Sequence, residues 1–535
     1  MQPHLFRAVP LPHCEDVLSA EIRELGAAVS SSSSRGVDFQ ADLETCYRIL
    51  IENRSASRLI FPVGSYTITG GEDLYSGARE LAWEDHLNGG TSFRIDSGIK
   101  TRLFQHSNFP VLKVKDAIVD RLREHFGVRP DVDTENPDVT VNMRLIKDTV
   151  ELSIDLGGGS LHRRGYRVAG VEAPLKENLA AAILMRASWP QTAREGGGFY
   201  DPFCGSGTFC IEAALMAAGI PPGILRAEHP VVRWPGHQRD IWEPLLAEYR
   251  ELAREGRARL AGRRGTIAGS DTDPRAVAAA RRNAAAAGLE ELIDFSVLPV
   301  REARPPKGKP GLVATNPPYG ERLGTGAQAE LVYCDLGLSM RRSFAGWRLA
   351  FLTPEKELGL ATGIKADKSH ALSNGSIPVL LIHADVQEYR ISDGTEMFIN
   401  RLRKNRRTLR SYLKSRGPGV YRVYDKDMPE YAFAVDLYDD SWCHLQEYAA
   451  PSGIDPRSVR RRRREAFEGL IQFLEIGSEG IFVKERRRLG SSDRYQRQSD
   501  EREKQVCREG DLRFFVNFTD YLDTGLFPDS RELRR

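Results

Sequence analysis

Apolar positions along the chain fall into stretches of helical period and short clustered or alternating runs, and the two patterns divide the sequence into segments. Glu15 to Leu25 predicts a helix ended by Gly26. A serine run, Ser30 to Ser34, predicts a hairpin or a flexible surface turn, and Asp42 to Ile51 a second helix, so residues 1–62 read as a small α/β unit. From 63 to 165 the signals alternate: Ser92 to Ile95 as a strand, Leu112 to His125 as a helix, then Val139 to Leu145 and Thr149 to Asp155 as a strand pair ended by Gly157-Gly158-Gly159. Residues 170–385 are the best-marked α/β block, with strand–loop–helix units at Phe199–Ala217, Thr266–Ala287 and Leu312–Asn316. Pro221 to about Gly265, with Trp234-Pro235-Gly236 and Trp242, reads as a loose insertion. Beyond it, short β-like runs such as Tyr431–Asp436 and Ile481–Lys484 stand among basic clusters. The expected division is 1–62, 63–165, 166–390 and 391–535.

That division suits a chain of 535 residues, long enough for three or four domains that each bury a core. Hydrophobic residues at 41% and charged residues at 28% are ordinary for a folded chain and exclude wholesale disorder. Lys plus Arg number 76 against 74 Asp plus Glu, a net charge of +2, which excludes a uniformly basic coat and leaves polyanion binding to local patches. Three patches stand out: Leu161-His162-Arg163-Arg164-Gly165-Tyr166-Arg167, which is either a connector or an RNA-facing edge, Arg401 to Arg410, and the unbroken run Arg460 to Arg464. The seven cysteines are scattered without a C-x-x-C pair, so neither a disulfide framework nor a metal site is expected. Glu15 and Asp16 interrupt any signal-peptide core, and the longest aliphatic run, Leu179 to Met185, is far below the ~20 residues of a membrane span. A soluble, cytoplasmic protein is expected.

Three constellations carry chemistry. In Asp201-Pro202-Phe203-Cys204-Gly205-Ser206-Gly207-Thr208 an apolar strand ends in an acid, a Gly-rich turn follows, and a helix opens at Thr208. Gly205 and Gly207 let a ligand lie against the backbone, and the helix start offers unpaired N–H groups. Cys210 stands where the dinucleotide fingerprint needs its third glycine, and no Gly-Lys-Ser/Thr follows, so neither that motif nor a P-loop is present. In Ile267 to Pro274 a second strand ends in an acid. Asp273 before Pro274 reads as a helix N-cap, which leaves Asp271 as the better ligand for both hydroxyls of a ribose. In Asn316-Pro317-Pro318-Tyr319 two prolines stiffen a loop after a buried strand. The Asn side chain and a following backbone carbonyl can accept both hydrogens of one exocyclic amine, turning its lone pair toward a methyl donor, while Tyr319 offers a face for the base. Cys204 invites a nucleophile reading, but amine methylation needs none and no base is evident nearby.

Taken together, these motifs resemble S-adenosylmethionine-dependent N-methyltransferases of exocyclic amines. More fully, the chain is similar to the bacterial bifunctional 23S rRNA guanine methyltransferases, which fuse two enzymes. The likeness extends through Val114 to Asp120, Asn136-Pro137-Asp138, Leu161 to Arg167, Asn316 to Leu323, Asn400 to Asn405 and Asp520 to Phe527. It implies a multidomain α/β fold: a ferredoxin-like region (1–62), a THUMP RNA-binding domain (63–165), a Rossmann-like class I N2-guanine methyltransferase (166–390), and a small α+β, PUA-like piece (391–535) that opens a second, N7-guanine enzyme. The implied site residues are Asn316, Pro317, Pro318 and Tyr319 for catalysis, and Asp201, Cys204, Gly205, Gly207, Thr208 and Asp271 for S-adenosylmethionine. Arg163, Arg164, Arg167, Arg401, Arg403 and Lys404 are implied for RNA, with 23S rRNA or a large-subunit precursor as partner and neither metal nor membrane. Two departures qualify the likeness. Leu298-Pro299-Val300 stands where an acid should meet the adenine amine, so backbone contacts are expected instead. Arg535 also comes before a second cofactor loop, so the N7 activity is expected to be missing. The competing expectations are an N-methyltransferase of another exocyclic amine, and an RNA-holding assembly factor whose catalytic domain has decayed.

Overall fold

The computed structural model describes residues 3–170, 175–319, 326–417, 419–451, 453–486, 504–520 and 524–534. Among these residues the strands form four sheets. The first is built from β1 (His4–Val9), β2 (Ala28–Ser33), β3 (Gly36–Ala41), β4 (Arg58–Thr67), β5 (Phe93–Lys100), β6 (Val139–Ile146) and β7 (Thr149–Asp155), in the order β2-β3-β1-β4-β7-β6-β5. Helices α1 (Glu15–Glu24), α2 (Leu43–Glu52), α3 (Gly71–Glu80) and α4 (Asn108–Phe126) accompany it. Strand β4 pairs with β1 through Arg58–Ile60 and with β7 through Ile60–Thr67, so one continuous sheet runs across residue 62, where the sequence suggests a division. The serine run lies in an edge strand, not a flexible turn: Ser31 Oγ donates to Asp38 Oδ2 at 2.8 Å and Ser30 Oγ to the Asp38 carbonyl at 3.1 Å. Serines are poor strand formers, and cross-strand hydrogen bonding overrides that preference here.

The second sheet follows α5 (Glu177–Arg186) and α6 (Trp189–Arg194). Its elements are β8 (Gly197–Asp201), α7 (Thr208–Ala218), α8 (Arg239–Ala261), β9 (Ile267–Asp271), α9 (Pro274–Ala286), β10 (Asp294–Val297), β11 (Lys309–Thr315), α10 (Gly326–Ser343), β12 (Arg348–Thr353), α11 (Lys356–Leu360), β13 (Lys368–Asn374) and β14 (Ile377–Asp385). The order β10-β9-β8-β11-β12-β14-β13 is parallel through β12 and closes with an antiparallel pair. Chain direction across the sheet reverses between β8 and β11. Loops leaving the carboxyl ends of those two strands therefore part and leave a crevice, the usual ligand position in such sheets.

The region 221–265 is not loose. It holds the 23-residue helix α8, which packs on the first domain: Trp242 meets the Tyr47 ring edge-on at 5.2 Å, and Tyr47 Oη lies 3.0 Å from His237 Nδ1. On its other side Gly256 sits so close to α7 that an added Cβ would lie 2.2 Å from the Ala218 carbonyl. This segment thus clamps the first sheet to the second.

The C-terminal part contains α12 (Asp393–Arg416), β15 (Val420–Asp425), β16 (Phe433–Tyr438), β17 (Trp442–Tyr448), α13 (Pro456–Leu474), β18 (Ile481–Arg486), β19 (Gln505–Glu509) and β20 (Leu512–Val516). Its four-stranded sheet β15-β16-β17-β18 packs one face on α12 and α13. That core continues into α10 through Leu331, Cys334 and Leu338. Ion pairs Arg341–Glu468 (2.6 Å) and Arg463–Glu330 (2.9 Å) reinforce the same junction.

Candidate functional site

Strand β8 is buried along its whole length, and α7 is almost entirely apolar, so the turn between them is held rigidly from both sides. Gly205 (φ 51°) and Gly207 (φ 83°) both take left-handed backbone. A Cβ on Gly207 would also lie 3.0 Å from Ala280 and 3.1 Å from Phe295, so a side chain there is excluded by strain and by space. Asp271, at the end of β9, latches the turn: Oδ2 accepts from Gly205 N at 2.9 Å and Oδ1 from Asp273 N at 3.0 Å. Burial raises its carboxyl above the usual range. Asp273 caps α9 by accepting from Arg275 N at 2.8 Å, as its place before Pro274 suggests.

Asp201, expected to meet the cofactor, is placed at the end of β8 with protein partners. Its carboxyl is fully buried and engaged with protein, accepting from Phe203 N at 3.1 Å and from the Thr315 hydroxyl at 2.7 Å. Asp201 therefore stitches the carboxyl ends of β8 and β11 together and positions both loops. Burial pushes its pKa up to about 7 from 3.8. The folded state thus favours the protonated form, a contribution fully present below about pH 4 and lost as pH rises through 7. Asp201→Asn keeps the accepting oxygen without the charge. The wild type should lose more thermal stability between pH 5 and pH 8 than Asp201→Asn does. The other buried acids are common to both proteins and cancel; equal losses would contradict this.

Cys204 is buried, and desolvation holds its thiol far above the ordinary value, so it is no nucleophile. Its part is in the backbone, where its N–H donates to the Ser270 carbonyl at 2.9 Å. Leu298 and Pro299 follow β10 with no side-chain acceptor, and Leu298 N donates to the Asp271 carbonyl at 3.1 Å.

The second loop leaves β11 at Asn316. Pro317 is buried, and Asn316 Oδ1 is a buried acceptor with no hydrogen-bond partner among the described residues. Leaving such an atom unsatisfied costs roughly 1–3 kcal/mol, so it gains from any donor brought to it. Tyr319 packs against the core of the second sheet, and its hydroxyl accepts from Asn374 Nδ2 at 3.1 Å, at the tip of the β13–β14 hairpin. Gly320 to Leu323, the remainder of this motif, lies outside the described residues, as do Tyr521 to Asp523 of the tail motif.

The basic segment before α5 divides. Arg163 is exposed. Arg164, expected on an RNA-facing edge, is instead buried: Nε donates to Glu212 at 2.8 Å and NH2 to the Arg54 carbonyl at 2.6 Å. Arg167 also turns inward, bonding Glu177 (2.9 Å), the Leu175 carbonyl (2.7 Å) and Thr208 Oγ1 (3.1 Å), so it braces the glycine loop. On α12, Arg403 and Lys404 are exposed and Arg401 half-buried. Sequence reasoning missed Asn283, whose Nδ2 donates to the Ser206 carbonyl at 3.0 Å and whose Oδ1 accepts from Val168 N and Ala169 N. A lone Asn inside the alanine-rich α9 was the available signal, since Asn is a poor interior helix residue. Among the described residues, no helix is long and apolar enough to cross a membrane, and no group of three His, Cys, Asp or Glu could hold a metal ion.

Comparison with known proteins was made on the whole chain. Residues 164–382 match the family described as RMKL-like, methyltransferase domain, residues 71–155 the THUMP domain, and residues 7–60 the RlmL ferredoxin-like domain. A protein named Ribosomal RNA large subunit methyltransferase K/L from Syntrophotalea carbinolica is 42% identical over 545 residues, covering 99% of this chain and 76% of its own length. A protein of the same name from Allochromatium vinosum is 40% identical, covering 100% of this chain and 74% of its own. Among solved structures, SMU.472, a complex with SAH, is 31% identical at a TM-score of 0.64, covering 73% of this chain and 100% of that one. A predicted N6-adenine-specific DNA methylase from Listeria monocytogenes is 30% identical at a TM-score of 0.62, covering 72% and 96%.

Proposed function

Because the chain belongs to the ribosomal RNA large subunit methyltransferase K/L family, we propose that it transfers the methyl group of S-adenosylmethionine to the exocyclic N2 amine of a guanine in 23S rRNA. The observation that carries this reading is the buried Oδ1 of Asn316, unpartnered among the described residues, next to Thr315, which Asp201 ties to the strand that leads into the glycine turn latched by Asp271. The cofactor, when bound, supplies an electrophilic methyl group. Gly205, Gly207 and the start of α7 would hold it, and Asp271 has lone pairs left that would accept from its ribose hydroxyls. Asn316 Oδ1 and a backbone carbonyl of the loop accept the two amine hydrogens, which aims the nitrogen lone pair out of the base plane. As the nitrogen gains positive charge these two bonds strengthen, so the transition state is held more tightly than the ground state. Tyr319, its ring fixed through Asn374, stacks on the base, an interaction worth roughly 1–3 kcal/mol. Positioning does most of the work, and no covalent intermediate is needed.

RNA rather than DNA is supported by the THUMP match and the relatives' names. Guanine N2, rather than another exocyclic amine, is supported by the sequence resemblance alone. Arg163, Arg401, Arg403 and Lys404 remain proposed phosphate contacts. Residues 391–535 contain no second Asp-x-x-x-Gly-x-Gly loop and no second Asn-Pro-Pro-Tyr, so N7 methylation is not assigned to them.

Asp271→Ala should weaken S-adenosylmethionine binding by roughly 100-fold, because it removes charge-assisted bonds to the ribose and the latch on Gly205. Isothermal titration calorimetry measures this, and unchanged affinity would move the ribose anchor elsewhere. The function itself is tested by nucleoside mass spectrometry of 23S rRNA incubated with the chain and labelled cofactor: label in N2-methylguanosine supports it, and label in another base refutes it.

A further inference from the structure

Helix α13 carries its arginines where elementary electrostatics disfavours them. Asp455 caps the helix by accepting from Ser458 N at 3.2 Å; beyond that cap Pro456 opens the helix, Arg457 follows, and Arg460 to Arg464 crowd the next turns with no acid among the first helical residues. The positive end of the helix dipole lies there, and like charges three and four residues apart repel. Helical spacing puts Arg457, Arg460, Arg461 and Arg464 on one face. That face lines a cleft of about 360 Å3 whose opposite wall is the methyltransferase segment Leu360, Ile364 and Lys365.

The neighbouring acids are committed elsewhere. Glu330 accepts from Arg463 at 2.9 Å, Glu468 from Arg341 at 2.6 Å, and Glu465 from the Tyr431 hydroxyl at 2.8 Å. Arg464 stays 3.8 Å from Glu468 and Arg461 4.0 Å from Glu465, too long for hydrogen bonds. Among the described residues, Arg457, Arg460 and Lys365 have no carboxylate within 4.0 Å. Glu357, exposed, is the acid left at the cleft. Net positive charge is therefore concentrated between two domains. One wall of the cleft belongs to the segment that follows β12, the neighbour of the strand that carries Asn316. Strand β12 runs parallel to β11, with Phe351 level with Thr315, and α11 leaves its carboxyl end just as the Asn316 loop leaves that of β11.

Resting on the rRNA substrate proposed above, we infer that this cleft is a phosphate-binding groove for the RNA strand that delivers its base to Asn316. The C-terminal part thereby completes the substrate path of the methyltransferase. Arg457 to Arg464 span roughly 10 Å of helix, which matches about three phosphates of a stacked strand at roughly 3.4 Å each. Planar guanidinium groups suit phosphate oxygens, and at the opposite wall Glu357 is a single acid beside the exposed Leu360 and Lys365.

The test uses the full chain carrying Arg457→Ala, Arg460→Ala and Arg461→Ala together, with an unmodified 23S rRNA transcript as probe. All three side chains repel one another, so their removal does not threaten the fold. KM for the transcript should rise about tenfold with kcat unchanged, and the salt dependence of binding should become shallower by roughly 2 log units per log unit of salt. Lys365→Glu, on the opposite wall, should move both in the same direction. Wild-type affinity and salt slope in these variants would overturn the groove, as would a wild type that binds no transcript. A wild type that binds with a steep slope, lost in the triple variant, but transfers no methyl group would uphold the groove and refute the proposed reaction.

Discussion

Asn316→Ala is expected to lower methyl transfer by roughly 100- to 1,000-fold, the usual cost of removing one group that stabilises developing charge. Binding of S-adenosylmethionine should be almost unchanged, because the glycine loop and Asp271 hold that ligand. Stability supplies an independent sign. Asn316 Oδ1 is buried without a partner among the described residues, so its removal should leave the thermal midpoint the same or raise it. A residue placed for packing behaves the opposite way, losing stability first. Single-turnover transfer, cofactor titration and thermal denaturation on one preparation check all three. Near-normal turnover would remove this loop from the catalytic account.

Arg164→Ala should produce the largest loss of stability, about 3–5 kcal/mol, because it strands a buried carboxylate. Both side chains of the Arg164–Glu212 pair are shielded from water, and Glu212 also accepts from the Tyr166 hydroxyl at 3.0 Å. Arg164 further ties the Arg54 carbonyl of the first domain to α7 of the methyltransferase. The loss should therefore appear as earlier unfolding in urea rather than as weaker RNA binding at fixed folded fraction. Replacing the pair by apolar residues of similar volume, Arg164→Met with Glu212→Leu, should recover much of the loss. Arg163→Ala, one residue away and exposed, should leave stability unaltered.

These two residues show what could be read in advance. The position of Asn316, on a loop after a buried strand, was legible because its neighbours are restrictive: an apolar run precedes it, and two prolines and an aromatic follow. The glycine turn and the capping role of Asp273 were legible for the same reason, since local backbone geometry selects those residue types. Arg164 was not, because nothing local distinguishes a buried arginine from an exposed one. Its fate depends on Glu212, 48 positions later, and on how α7 packs beneath it. Asp201 was placed at the right strand end, but its bond to Thr315 could not be read in advance, since that partner lies 114 residues away on β11. The helix α8 was hidden by Pro235, Gly236 and Pro244, whose turn signals mask a helical face that buries Trp242 and Tyr249 in another domain's core. Strands β1 and β4 are likewise defined by their partners more than by their own alternation.

The central claim is transfer of a methyl group to guanine N2 in 23S rRNA by the Asn316 loop. Its most direct measurement uses the purified chain, S-adenosylmethionine labelled on the methyl group, and 23S rRNA from cells lacking the native modification. After digestion to nucleosides, mass spectrometry locates the label. The account predicts that the label appears in N2-methylguanosine at a single site and disappears with Asn316→Ala. Label in N6-methyladenosine, equal label with a DNA substrate, or label that survives Asn316→Ala would contradict it.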